Sequence, residues 1–234
     1  MSHFLQARAE EMKYHEDFYK ESKLFEAGSW LAKPVKVVMD MLEELDLEGI
    51  RVLDLGSGVG RNSIPIAQRI QPYSGAVHCV DLLPTAVHKL GEHIQQYGVE
   101  ASITAEIADV EFYDIAVDTY DYIVACSCLE HVSSEAAFRA VVERMQRGTT
   151  AGGINSILMS TEVEHFDIAT GERTAGLIEL HLSTDRAFQL LRESYHEWDI
   201  VIEKQLPQSI QEQKQGACIA FKSNWITFVA RKKG

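Results

Sequence analysis

Basic charge is scarce in this sequence. Lys and Arg together number 22 against 35 Asp and Glu, a formal net charge of -13 over 234 residues. Proteins that neutralise phosphates carry a basic surface, so nucleic acid and anionic membrane are not expected partners. The clear basic run, Arg231-Lys232-Lys233, closes the sequence and reads as a solvated tail. Cysteine is also sparse: Cys79, Cys126, Cys128 and Cys218 form no CxxC or Cys/His spacing, so no metal centre is expected. They read as buried free thiols in a reducing compartment. No apolar run approaches the ~20 residues of a membrane span. The opening MSHFLQARAEEMKYHEDFYK is too polar and acidic for a signal peptide. A cytoplasmic location is the expectation. There is no internal repeat and no low-complexity linker, and the length suits one substantial α/β core.

What is present is an alternation of helical and extended periodicity, which predicts a mostly parallel sheet covered by helices. The first 30 residues predict one or two short helices. Pro34 opens a helix with Val35, Val38, Met39, Leu42 and Leu45 as its apolar stripe. Strands are predicted at Ile50–Leu55, Ala76–Leu82, Ser102–Ile107, Tyr120–Ser127 and Ile154–Thr161. Helices are predicted after the glycine turn to about Ile70, at Pro84–Tyr97 with Gly98 as its stop, and at Ser134–Arg147. The segment Glu162–Leu182 has no clear period and reads as an insertion or lid. Ser183 caps a further helix to about Ser194. Trp198–Gln205 and Ile219–Arg231 then suit an antiparallel hairpin across a polar segment. The division expected is an N-terminal helical lid segment over residues 1–33 and one catalytic unit over residues 34–234.

The most informative stretch is VLDLGSGVGRN, Val52 to Asn62, which sets Gly56, Gly58 and Gly60 between a strand and a helix. Glycine permits positive φ and close approach of a ligand to the backbone. A turn at the carboxyl end of a strand is where open α/β sheets bind ligands. A dinucleotide fingerprint, GxGxxG, needs glycine at position 61, where this chain has Arg61. Asp54 precedes the turn; its charge repels a pyrophosphate and attracts an ammonium group. Asp81, at the end of the second strand, suits a carboxylate that accepts from both hydroxyls of a ribose. Its alternative is a helix cap ahead of Pro84. Asp109 suits accepting from an exocyclic adenine amine, with Val110 against the ring; its alternative is an ordinary loop residue.

Together these motifs resemble the class I S-adenosylmethionine (SAM)-dependent methyltransferases over about residues 34–231. The glycine turn, the acidic end of the second strand, the Ala108-Asp109-Val110 step, the DYIVACSCLEHV stretch (Asp121–Val132) and the terminal hairpin stand in family order. Within the family the chain is similar to the tellurite-resistance (TehB-type) branch and its thiopurine-methyltransferase-like relatives. Gly60-Arg61-Asn62-Ser63, Met145-Gln146-Arg147, the closing Phe228–Lys233 and the aromatic Tyr14–Tyr19 carry that similarity. Two features depart from it: the Glu162–Leu182 segment, and the glutamine-rich Pro207–Gly216, where an oxyanion such as tellurite calls for basic residues.

The resemblance implies a Rossmann-like three-layer α/β/α sandwich, with a mostly parallel seven-stranded sheet and a C-terminal antiparallel hairpin. It implies metal-independent in-line transfer of a methyl group from SAM to a small-molecule acceptor. Gly56, Ser57, Gly58 and Gly60 would hold the methionine part, with Asp54 orienting its ammonium. Asp81 and Leu82 would hold the ribose side, and Asp109 and Val110 the adenine. Ser127 and Leu129 would lie beside the methyl. Tyr14, Tyr19 and Trp30 would close over the site, the alternative being that they staple the N-terminal helix to the core. His131 is the candidate general base, and Glu130 reads as structural. Competing readings are a SAM-binding protein without transferase activity and an NAD(P)-dependent oxidoreductase. Nucleic-acid methylation lacks its Asn/Asp-Pro-Pro-aromatic motif. Neither the acceptor nor the oligomeric state is written in the sequence.

Overall fold

A computed structural model describes all residues except 1–2, 22, 175–177 and 215–216. Parts of the 1–33 lid segment, of the Glu162–Leu182 segment and of Pro207–Gly216 therefore lie outside the described residues. In chain order the elements are α1 (His3–Glu21), α2 (Lys36–Leu42), β1 (Arg51–Leu55), α3 (Ser63–Ile70), β2 (Ala76–Asp81), α4 (Pro84–Tyr97), β3 (Ile103–Ile107), β4 (Tyr120–Cys126), α5 (Glu135–Gly148), β5 (Thr149–Asp167), β6 (Arg173–Thr174), α6 (Thr184–Ser194), β7 (Asp199–Lys214) and β8 (Ala217–Arg231). Single 3-10 turns occupy Trp30–Ala32, Gln71–Tyr73 and Leu129–His131.

The sheet order is β3-β2-β1-β4-β5-β8-β7, with the two-residue β6 paired to β5. β1 through β5 are parallel, and β8 and β7 run antiparallel beyond β5. Strand side chains alternate between two cores, as a two-residue period requires. Val52, Val77, Cys79, Tyr122 and Val124 pack with α2, α3 and α4 on one face. Leu53, Leu55, Val80, Ile123 and Ala125 pack with α5 and α6 on the other. This is the expected three-layer α/β/α sandwich.

Local signals set the helix ends. Ser134 and Ser183 accept from Ala137 N and Arg186 N at the starts of α5 and α6. Pro84 occupies the first turn of α4, and Gly98 ends it at φ 65. Such caps contribute about 1 kcal/mol each. Burial of Leu90, Phe138, Val141 or Leu191, all fully inaccessible, contributes about 1.5–3 kcal/mol per side chain. The apolar stripes thus decide where each helix lies, and the caps decide where it stops.

Five expectations need correction. The N-terminal segment opens with one 19-residue helix rather than short pieces, and Leu24 and Leu31 join the core beyond it. The Pro34 helix begins two residues later, at Lys36. β5 is far longer than Ile154–Thr161: a bulge between Thr161 and Glu164 carries it on to Asp167 against β8. The hairpin likewise runs through the glutamine-rich segment, so Pro207 to Lys214 is strand, not loop. Polar composition hid both extensions, whose backbone groups are satisfied by each other. Pro207 is tolerated because β7 is an edge strand. Cys218, in this ribbon, is exposed rather than buried, while the other three thiols are buried.

Candidate active site

Strand order reverses between β1, whose neighbours are β2 and β4, and the loops at their carboxyl ends define a crevice. Open α/β sheets bind ligands at such switch points. Here the crevice is a cavity of about 380 Å³. That volume lies in the ~300–1,000 Å³ range of small-molecule sites.

The floor is the glycine turn. Gly56 N and Ser57 N donate to Val80 O at 2.8 and 3.1 Å, tying the turn to β2. His93 braces it from α4 through a 2.8 Å contact with Val59 O. Gly58 (φ 54) faces the cavity, and a Cβ there would stand 2.8 Å from Tyr19 Oη. Gly60 (φ 95) lies outside the cavity wall; its Cβ would meet Leu90 Cδ1 at 2.6 Å. The two glycines therefore serve different ends: Gly58 opens the backbone to the cavity, and Gly60 lets α4 close on α3.

Asp81 is the anchor of the turn. It is 8 % exposed and lines the cavity. Its Oδ2 accepts from Gly58 N at 2.8 Å and its Oδ1 from Leu83 N at 2.9 Å. It is not the N-cap of α4, which is Leu83. Burial pushes its carboxyl above the usual range, against the Leu83 and Gly58 N–H groups and the nearby His131. Asp54 sits beneath the turn instead of in the cavity wall, 2 % exposed, and accepts from Ser63 Oγ at 2.5 Å. Burial lifts it to about 7, opposed by the Ser63 hydrogen bond and aided by Asp81.

Leu82, Asp109, Val110, Ser57 and Ser127 all reach the cavity. Ser127 follows β4 at φ 54, a left-handed conformation that costs an L-residue about 1 kcal/mol or more. Val110 packs against the second core cluster. Asp109 is already engaged: Oδ1 accepts from Glu111 N at 2.9 Å and Oδ2 from Arg8 of α1 at 2.7 Å. Leu129 is 1 % exposed, belongs to the second core cluster and does not line the cavity.

α1 forms the roof. Tyr14, Tyr19 and Trp30 line the cavity and also staple the helix down. Phe18 stacks on Tyr14 and Trp30 with ring centroids 6.0 and 5.3 Å away, and Tyr19 meets Trp30 edge-on at 6.3 Å. Both readings of these aromatics thus describe the same side chains. Arg8 latches the helix further, donating to His131 O at 2.6 Å and lying 3.4 Å from Glu179.

His131 lines the cavity, but its Nδ1 is 2.8 Å from Glu179 Oε2. Burial alone would depress the ring's pKa. The hydrogen bond and charge of Glu179, with Glu130 and Glu11, outweigh burial and lift it to about 9. Glu179 orients the ring and favours its charged form, while a neutral ring held by the same Nδ1 contact keeps Nε2 free to accept a proton.

Arg8, Glu179, Glu130 and the ribbon residues Val163, Ile210, Phe221 and Trp225 also line the cavity, and sequence reasoning did not select them. The reading of residues 1–33 and Glu162–Leu182 as lid segments pointed toward Arg8, Val163 and Glu179 alone. Among the described residues no cluster of His, Cys, Asp and Glu is arranged to hold a metal, and no helix is long and apolar enough to cross a membrane.

Residues 52–153, which include the glycine turn, Asp81 and the β4 end, match the family described as "Methyltransferase domain". Over that stretch the chain is similar to methyltransferases. A ubiquinone biosynthesis O-methyltransferase of Methylocella silvestris is 30 % identical over 92 residues, 39 % of this chain. That alignment spans 34 % of the relative's length. The crystal structure of TehB from Haemophilus influenzae aligns with TM-score 0.67 at 20 % identity, covering 94 % of this chain and 67 % of that one. The [4+2]-cyclase SpnF aligns with TM-score 0.61 at 13 % identity, covering 88 % and 84 %. At these identities the structural likenesses speak for the fold alone. The methyltransferase domain's residues fit SAM on one structural ground. Each Asp81 oxygen accepts a single N–H, and a carboxylate offers about four acceptor positions, so two remain for a pair of hydroxyls.

Proposed function

We propose that the protein transfers a methyl group from SAM to a small-molecule acceptor by in-line displacement, without a metal, in the cytoplasm. The observation that carries this reading is the buried, half-satisfied carboxylate of Asp81 beside the open backbone of Gly58. Bound SAM supplies an electrophilic methyl on a sulfonium. Asp81 holds the ribose hydroxyls, the backbone of Gly56 to Gly58 the methionine part, and Leu82 and Val110 the two faces of the adenine. Asp54, beneath the turn, acts on the ammonium group through the turn rather than by contact. Gly60 serves by packing α3 against α4. Tyr14, Tyr19 and Trp30 exclude water, and aromatic faces near a sulfonium add a cation–π attraction of about 0.5–2 kcal/mol. Alignment and desolvation are then the main sources of rate.

A second reading keeps the cofactor site and removes the transfer. The likeness to SpnF, a [4+2]-cyclase, favours keeping it in view, because one fold hosts several chemistries. Calorimetric titration with SAM, followed by detection of S-adenosylhomocysteine (SAH) release against thiols, amines and metalloid oxyanions, separates the two. Binding with acceptor-dependent SAH supports transfer, and binding with no release across the panel supports the second reading. Binding of NADH in place of SAM overturns both.

A further inference from the structure

The cavity has a second half. Beyond Ser127 it continues between α1 and the ribbon made by the lengthened ends of β5, β8 and β7. Val163, Ile210, Phe221 and Trp225 give it an apolar and aromatic wall, and the last three are half-buried there. The Phe221 ring is held by His165, centroid to centroid 5.4 Å. A tellurite-sized oxyanion has no use for such a wall; a ring or an alkyl chain does.

Glu130 shares this lining. It follows the strained Ser127, lines the cavity and is 3 % exposed. Its Oε1 accepts from Ser160 N at 3.0 Å, which fixes the carboxyl against β5. Its Oε2 is buried and has no hydrogen-bond partner. Leaving a buried acceptor unsatisfied costs about 1–3 kcal/mol, more when it is charged, so such a group in a cavity marks a place for a donor. Both arginines of the lining are already engaged. Arg8 is engaged by Asp109, Glu179 and His131 O, and Arg61 donates to Lys33 O and lies over Trp30. Asp81, Asp109, Glu130 and Glu179 make the lining predominantly acidic.

We propose that this half is the acceptor subsite, that its substrate class is an amine carried on an apolar ring or chain, and that Glu130 receives a nitrogen-bound proton of that amine. The proposal rests on the methyl-transfer reading. The acceptor enters as an ammonium and gives one proton to Glu130, which passes it to solvent after turnover. The nitrogen lone pair so released forms the N–C bond as the S–C bond breaks, and that bond's electron pair stays on sulfur. The product leaves as an N-methylated ammonium beside a neutral thioether. Glu130 is then the proton acceptor.

The test uses the full chain and four probes with SAM: phenethylamine, ethylamine, 3-phenylpropionate and tellurite. SAM binding is first measured by calorimetry. SAH formation with phenethylamine should then exceed that with each other probe by at least tenfold in kcat/KM. Glu130→Gln should lower the phenethylamine kcat/KM by about 10–100-fold, mainly through kcat, with the SAM Kd within threefold of the parent. Phe221→Ala, on the exposed ribbon, should raise the phenethylamine KM and leave that of ethylamine unchanged, which keeps the proposal open to refutation if Glu130→Gln misfolds. Preference for phenylpropionate or tellurite, or SAM binding without any amine-dependent SAH, overturns the acceptor assignment alone. Failure to bind SAM overturns the transfer reading beneath it.

Discussion

The two halves of the cavity are built in opposite ways. The cofactor half is made by short stretches of chain whose own backbone closes the geometry. Gly56 and Ser57 donate to Val80 O of the adjacent strand, and Asp81 accepts from the backbone of Gly58 and Leu83. The acceptor half is made by side chains brought from four distant places: Arg8, Glu130, Glu179 and the ribbon at 208–225. A site built from backbone is held by the sheet and tolerates change nearby. A site built from distant side chains depends on every one of its latches.

The comparison is most easily broken at Asp81. Asp81→Ala should weaken SAM binding by about 10–100-fold, through loss of charge-assisted hydrogen bonds to the ribose and release of Gly58 N and Leu83 N. Calorimetry on a variant that still unfolds cooperatively checks it. An unchanged Kd would mean that the carboxylate serves the turn and not the ligand.

Gly60→Val comes next. Its side chain would meet Leu90 and Ile64 at φ 95, so an overpacking cost of about 1–3 kcal/mol plus backbone strain is expected, read as a lowered denaturant midpoint. SAM affinity of the folded fraction should change little, because Gly60 does not face the cavity. A large loss of affinity at full stability would move Gly60 into the cofactor site.

The acceptor half should respond to pH through His131. The folded pKa of His131 is raised to about 9 from an ordinary value near 6.5. The folded state therefore binds the proton more tightly, so the stabilisation is fully present below about pH 6.5 and is lost as pH rises through about 9. Glu179→Gln should lower Tm relative to the parent at pH 6, and the gap should narrow by pH 10. In the same variant an NMR titration of His131 should move toward 6.5. A gap independent of pH would mean that Glu179 acts by packing and by Arg8 alone.

The smallest effect concerns thiols. A thiol reagent applied to the native protein should modify Cys218 quickly and leave Cys79, Cys126 and Cys128 intact until unfolding, since only Cys218 is exposed. Burial also lifts the Cys126 thiol to about 12, which suppresses its thiolate. Fast labelling at Cys126 or Cys128 would show that α1 opens readily from the site.

The same contrast explains what could be read from the sequence. Gly98 as a helix stop, Ser134 and Ser183 as caps, and the alternation across β1, β2 and β4 are local signals, and they set most of the fold. Asp81 was legible because its position relative to the glycine turn is short and regular. The ribbon was not, because Glu164, Gln208 and Gln211 look like loop and become strand only through pairing with β8. Arg8 was invisible for another reason: its partner Asp109 lies 101 residues away. His131 drew attention from its motif, but its partner Glu179, 48 residues on, was not legible. Glu130 looked structural and half of it is; its second oxygen carries the chemical interest.

The most direct test of the central claim is a crystal structure of the protein with SAH. The account predicts both ribose hydroxyls within hydrogen-bond distance of Asp81, and the thioether sulfur turned toward Ser127 and the acceptor half. Density for SAH away from the Gly56–Gly58 backbone, or an adenosyl group whose ribose leaves Asp81 untouched, would contradict it.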